Sequence, residues 1–473
     1  MPRTTLFSIA LAATALLAAA APAAATRYVE GSPGLGDPYY PLAGNGGYDV
    51  RHYHLDLDYT PRPTNFLAGK ALIVARTTEN LSRFNLDFRP FYDIASLTVN
   101  GRRATYTREE AHELVITPRQ KLKKGRTFVV GVTYSGQPEA VIDPDDSLEG
   151  WVPLDDGAFV VNEPQGSPGW YPANDNPRDK ATYSFAVTVP EGHTALANGR
   201  LLGSPVTRGG RTTWRWVEDS PMAPYLATAT NGPFDTDFSG RVDGRPIYNA
   251  VDPDLPTAQV AKDRIATTDD VIRFYSDLYG EYPFSSVGNV VDQAPEVGYA
   301  LESQTKAMYS NTPGQSTFVH EMAHMWFGDA VTPIEWVDIW LNEGFARWSE
   351  WIWFERDGDP ATLTAQQQFD NNYAQPATNT TFWNPPPGTP GSAAALFDGT
   401  IYTRGAMTLQ ALRQKIGDDQ FFRILRSWYA EHKYGNATTA DFIALAERVS
   451  GQELDQFFRI WLYDPGKPAP GSW

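Results

Sequence analysis

The stretch that decides the reading of this chain is Ser316-Thr317-Phe318-Val319-His320-Glu321-Met322-Ala323-His324-Met325-Trp326-Phe327. Its apolar residues recur at three- and four-residue spacing, which predicts a helix over 316–327. On such a helix positions i and i+4 lie one turn apart on the same face, so His320 and His324 project the same way. Two imidazoles so placed reach one ion, at about 2.0–2.1 Å for zinc. Glu321 lies about 100° further round, where it approaches a water beside the metal without ligating the metal itself. The chain holds 7 histidines and no cysteine. Disulfides and thiolate ligands are therefore excluded, and a metal has to be held by His, Asp or Glu.

The third ligand is expected downstream, in Trp336-Val337-Asp338-Ile339-Trp340-Leu341-Asn342-Glu343-Gly344-Phe345-Ala346. The interval 325–342 suits the end of one helix, a loop, and a return on a second helix facing the first. Glu343 is flanked by Trp340, Leu341 and Phe345, so the run reads as buried, and a buried carboxylate needs a cation. Two histidines and one glutamate leave the fourth tetrahedral position open for water, the mark of a catalytic rather than a structural zinc site.

Outward from this centre, helical patterns are predicted over 341–355, 406–429 and 438–461. Thr438 with Asp441 forms a candidate capping box for the last of them. Upstream, a helix-like run at 258–279 separates two short strand candidates, 246–251 and 287–291. The Pro/Gly-rich stretch 384–392 reads as a loop and 464–473 as an irregular tail. From 48 to 232 the pattern is strand-like: 52–59 and 182–189 alternate with period two, and Asn100-Gly101 and Asn198-Gly199 mark turns. The expected fold is α+β and multidomain. A signal peptide (1–25) is followed by an N-terminal antiparallel β domain (26–233), a mostly helical catalytic domain (234–464) and an irregular tail (465–473).

Composition supports a globular protein: 473 residues are enough for two or more cores, and 42% are hydrophobic. The formal net charge of −17 argues against nucleic acid and anionic membranes as partners and mildly favours cations such as a peptide's protonated amine. Arg3, an apolar run over 6–20 and the small residues Ala23-Ala24-Ala25 read as a cleavable export signal ending before Thr26. The apolar run is too short and Ala-rich to span a bilayer. The expected location is extracellular.

The segments around His320-Glu321-Met322-Ala323-His324-Met325-Trp326-Phe327-Gly328-Asp329 and Trp340-Leu341-Asn342-Glu343-Gly344-Phe345-Ala346 resemble the aminopeptidase N-type family of thermolysin-like zinc metallopeptidases (gluzincins). Further places match: Tyr299-Ala300-Leu301-Glu302-Ser303, Tyr402-Thr403-Arg404-Gly405-Ala406, the stretch 163–180, and the closing run 461–468. The resemblance implies a β domain followed by a thermolysin-like peptidase domain that binds one zinc ion through His320, His324 and Glu343. It implies Glu321 as general base and Tyr402 as the hydroxyl that stabilises the oxyanion. Glu302 and Glu163 would hold a substrate's free amine, with Ala300 on the cleft wall. Many relatives continue into a helical domain over the cleft, and this sequence is expected to represent a short form without it. The expected activity is release of N-terminal amino acids from peptides that have a free N-terminus. The alternatives are a secreted endopeptidase with an open cleft, and an inactive binding protein on the same scaffold. Asp338 and Glu350 read equally as groups that orient the ligating side chains and as solvated helix charges, and the other histidines as structural or exposed. The oligomeric state is not legible.

Overall fold

A computed structural model describes residues 27–356, 358 and 361–472; the expected export signal lies outside them. In the strand Tyr48–Thr60, Tyr53, Leu55, Leu57 and Tyr59 are fully buried while Asp56 and Asp58 alternate with them toward solvent. This period-two pattern fixes which face packs inward. The strand sits at the centre of a nine-stranded sheet. Phe66–Thr77, Thr127–Gly136 and Tyr92–Val99 extend it on one side, Ala181–Pro190 and Arg211–Met222 on the other. The expected antiparallel β domain is corrected at two seams: Val29–Glu30 runs parallel to Leu81–Asp87, and in the large sheet Thr182–Thr188 runs parallel to His52–Asp58. More than 120 intervening residues include several other strands and no direct hairpin, so a crossover sets the direction. A five-stranded sheet that includes Leu148–Pro153 and Ala158–Val161 stands beside it. Among the described residues, strands before residue 233 pair only with one another.

The second half opens with a mixed sheet containing Arg245–Val251, Val287–Val291, Ala300–Leu301 and Ala307–Tyr309. Its helices are α1 (Ala258–Ile265), α2 (Thr268–Tyr279), α3 (Gln315–His324), α4 (Trp340–Glu355), α5 (Ala365–Tyr373), α6 (Thr380–Trp383), α7 (Gly399–Ile416), α8 (Asp418–His432) and α9 (Thr439–Ser450). Three expected helices are each divided. The run 258–279 breaks at Ala266–Thr267 into α1 and α2. The run 406–429 breaks at Gly417 (φ 82°) into α7 and α8. The run 438–461 ends at Gly451, a left-handed cap with φ 69°, followed by a short helix and a single π turn. Apolar periodicity carries across these breaks because both halves face one core, while glycine supplies backbone angles that other residues resist. The Thr438–Asp441 capping box forms as expected. Among the described residues, no helix is long and apolar enough to cross a membrane.

Two contacts fix the parts that matter for the site. Helices α4 and α7 cross at Gly344 and Gly405, where a Cβ on Gly405 would lie 2.8 Å from the Gly344 Cα. Only paired glycines let the backbones approach so closely, and Tyr402 stands one turn from this crossing. Gly405→Val is expected to destabilise the fold by about 1–3 kcal/mol and to lower turnover, read by denaturant titration and kcat. An unchanged midpoint would mean that the helices separate without cost. The β half is tied on by polar contacts: Arg178 to Glu335 (2.6 Å), Asn198 Nδ2 to the Gln304 carbonyl (2.8 Å), and Lys180 Nζ to the Asp329 carbonyl (2.9 Å).

Candidate active site

Helix α3 presents His320 and His324 on one face, their ring centroids 4.7 Å apart. α4 brings Glu343 against both, its Oε2 lying 3.0 Å from His320 Nε2 and 3.6 Å from His324 Nε2. All three side chains are buried. His320 Nδ1 donates to Glu350 Oε1 at 2.7 Å, and His324 Nδ1 donates to the Phe327 carbonyl at 2.9 Å. With both Nδ1 atoms committed as donors, each ring turns its Nε2 lone pair inward. Two imidazole nitrogens and a carboxylate oxygen then converge within 4.8 Å of one another, an arrangement that needs protons or a metal cation between its members. The donor set, two imidazoles and one carboxylate, fits a zinc ion with an open position.

With no ion between them the same groups pair with one another, protonated imidazoles against an ionised carboxylate, and a metal would displace the Nε2 protons. Burial alone would raise the Glu343 pKa, but charge and hydrogen bonding from His324 and His320 hold it at about 2. Burial would lower His320, and its hydrogen bonds to Glu343 and Glu350 instead raise it to about 9. Glu321, adjacent to the first histidine, is buried and pushed up to about 8, chiefly by loss of solvent.

These groups line a cavity of about 310 Å³, together with Glu163, Ala300, Glu302, Arg347 and Tyr402. The Tyr402 ring lies 5.9 Å from that of His320, and burial followed by the neighbouring carboxylates keeps its phenol protonated. Glu163 and Glu302 are 8% and 2% exposed. Burial and then the charge of Glu302 drive Glu163 well above the usual carboxylate range, and Glu163 Oε1 has no hydrogen-bond partner among the described residues. A pair of crowded, buried acids with an unmet acceptor calls for a cationic ligand. The structure thus brings every sequence-predicted site residue to one cavity: His320, His324, Glu343, Glu321, Tyr402, Glu302, Glu163 and Ala300.

Of the two readings open for Glu350, the structure selects the orienting one: it holds His320 and also accepts from Ser316 Oγ and from Arg347 Nη1 (2.8 Å). Sequence reasoning missed one residue. Tyr225 reaches in from the β half to donate to Glu302 Oε1 at 3.4 Å, and no local pattern announces it. Asp338 is not at the centre: it accepts from Thr439 Oγ1 at 2.5 Å. Among the other histidines, His112 groups with Asp87 and Glu113. Asp87 there already accepts from the Gly44 and Asp175 amides and from Asn45 Nδ2, which satisfies the buried carboxyl without a metal.

Comparison with known proteins gives a consistent result. Residues 50–226 match the Peptidase M1 N-terminal domain and residues 295–461 match the Peptidase family M1 domain. Glutamyl aminopeptidase of Rattus norvegicus is 25% identical over 333 residues, and aminopeptidase N of Streptomyces lividans 26% over 360. Each alignment covers 66% of this chain, which spans 35% and 39% of those relatives' lengths. The crystal structure of an M1 zinc metallopeptidase from Deinococcus radiodurans superposes with a TM-score of 0.80 at 29% identity, covering 93% of this chain and 99% of that one. A mutant of the Deinococcus radiodurans protein bound to a Tyr-Ser-Ala substrate gives 0.81 at 28% identity, covering 92% and 100%.

Proposed function

We propose, on the premise that this chain belongs to the M1 family of zinc metallopeptidases, that it hydrolyses the first peptide bond of peptides with a free N-terminus. The observation that carries this reading is the pair of buried carboxylates, Glu163 and Glu302, in the same cavity as the His320–His324–Glu343 set. A carboxylate facing an ammonium at 4 Å contributes roughly 4 kcal/mol at an effective dielectric of 20. Even half of that, after desolvation, favours free N-termini by more than about tenfold.

A zinc ion held by His320, His324 and Glu343 would supply a Lewis acid and bring the pKa of water at the site down toward about 7. Glu321 removes a proton from the attacking water and returns it to the departing amine, acting first as base and then as acid. The Tyr402 hydroxyl donates to the scissile carbonyl oxygen as negative charge develops there, the moment at which a preorganised donor contributes most. Glu302, oriented by Tyr225, and Glu163 hold the substrate's ammonium and so set which bond is presented. Glu350 and the Phe327 carbonyl keep the two imidazoles in the ligating tautomer.

The test compares an aminoacyl reporter with its N-acetylated form. Free-amine substrate is expected to be cleaved at least tenfold faster, and Glu302→Ala should reduce that ratio, mainly by raising KM. Equal cleavage of both forms by the wild-type enzyme would favour an endopeptidase instead.

Export is proposed as well, on the charged start, apolar run and Ala23-Ala24-Ala25 site of the sequence. Protein recovered from the medium should begin at Thr26 on N-terminal sequencing, whereas a mature chain still beginning at Met1 would refute the cleavage.

A further inference from the structure

We propose that Arg347 is a specificity-determining residue that captures the C-terminal carboxylate of short peptides, making dipeptides and tripeptides with both termini free the preferred substrates. The inference rests on the aminopeptidase reading above and deepens it. Arg347 stands one turn after Glu343 and three residues before Glu350 on α4, so all three face the cavity from one helical stripe. Among the described residues lining that cavity, it is the sole Lys or Arg, set against the acids Asp145, Glu163, Glu302, Glu321, Glu343 and Glu350. Its guanidinium carbon lies 5.8 Å from the centre of the Tyr402 ring, the ring that itself packs 5.9 Å from His320. The side chain is 37% exposed, so it is open to a ligand.

Support of Glu350 explains only part of this side chain. Nη1 donates to Glu350 Oε2 at 2.8 Å, and Nε is buried without a partner among the described residues, so the exposed part of the side chain lies toward the end of the fork. Glu350 is meanwhile shared with His320 Nδ1 and Ser316 Oγ. A guanidinium carries five N–H donors in a planar fork that matches a carboxylate, and the Nη2 end of this one is left for a ligand. Phosphate groups or a side-chain carboxylate would satisfy the same donors. The substrate terminus is favoured because the same cavity holds Glu163 and Glu302, which are suited to an ammonium, and a short peptide carries both charges at its two ends. The cavity, about 310 Å³, sits at the small end of ligand pockets. A cavity of that size admits only a few residues of an extended peptide.

The experiment compares kcat/KM of the zinc-loaded enzyme for the dipeptide Leu-Ala and for its C-terminal amide, with an aminoacyl reporter that lacks a carboxylate as control. The wild-type enzyme is expected to prefer the acid by about tenfold or more. Arg347→Gln should bring the acid-to-amide ratio close to one with zinc content retained, and Arg347→Lys, which keeps the charge but not the fork, should fall between. A wild-type ratio near one, or a ratio unchanged in Arg347→Gln, overturns the assignment. The wild-type ratio and the lysine variant decide the matter even if Arg347→Gln fails to fold. Cleavage of the reporter with no acid preference removes the role of Arg347 alone, whereas failure to cleave either reporter or dipeptide removes the aminopeptidase reading with it.

Discussion

Glu321→Gln is expected to retain its zinc and to lose about 10²–10⁴-fold in kcat, the range that a positioned general acid–base supplies. The substitution keeps the volume of a side chain that is 5% exposed, so packing on α3 should survive. It also leaves His320, His324 and Glu343 untouched, which separates loss of the base from loss of the metal. What disappears is the carboxylate that takes a proton from water and hands it to the leaving amine. The check is a pair of measurements on one preparation, zinc content and single-turnover rate. Near-normal turnover in a fully loaded variant would remove Glu321 from its role.

Glu343→Ala is expected to abolish tight zinc binding and with it activity. His320 and His324 alone offer two ligands, and their inward lone pairs then have no anion to complete the set. The effect is also visible in stability, because an ion that binds only the folded state stabilises it by mass action. Zinc at 100 times its dissociation constant adds about 2.7 kcal/mol. The metal-free wild-type protein should therefore unfold at a higher temperature when that much zinc is supplied, and the variant should not respond at the same concentration. An equal upward shift in both would show that the ion binds elsewhere.

The parts of this site that could be read from sequence are those written in local spacing. His320 and His324 lie one helical turn apart, and the helix that carries them forms within one residue of its expected start. Glu343 follows from the interval to the next amphipathic run and from its aromatic neighbours. Glu350 sits on the same stripe and stays ambiguous in sequence because an exposed helix charge and a buried partner of His320 look alike until the facing helix is placed. Tyr225 and the Gly344–Gly405 crossing depend on segments distant in sequence meeting in space, and no periodicity encodes such a meeting. The same limit explains the parallel seam between 52–58 and 182–188: alternation tells which face of a strand is buried, not which neighbour it chooses or in which direction. Helix boundaries failed where glycine interrupts a continuous apolar stripe, at Gly417 and Gly451, because burial persists through the break while the backbone does not.

Native mass spectrometry of the purified protein tests the central claim most directly, since the chemistry depends on His320, His324 and Glu343 holding one ion. The expected spectrum shows a single zinc per chain, removed by a chelator and restored by one added equivalent. A chain that carries less than about half an equivalent under zinc-replete conditions would contradict the assignment.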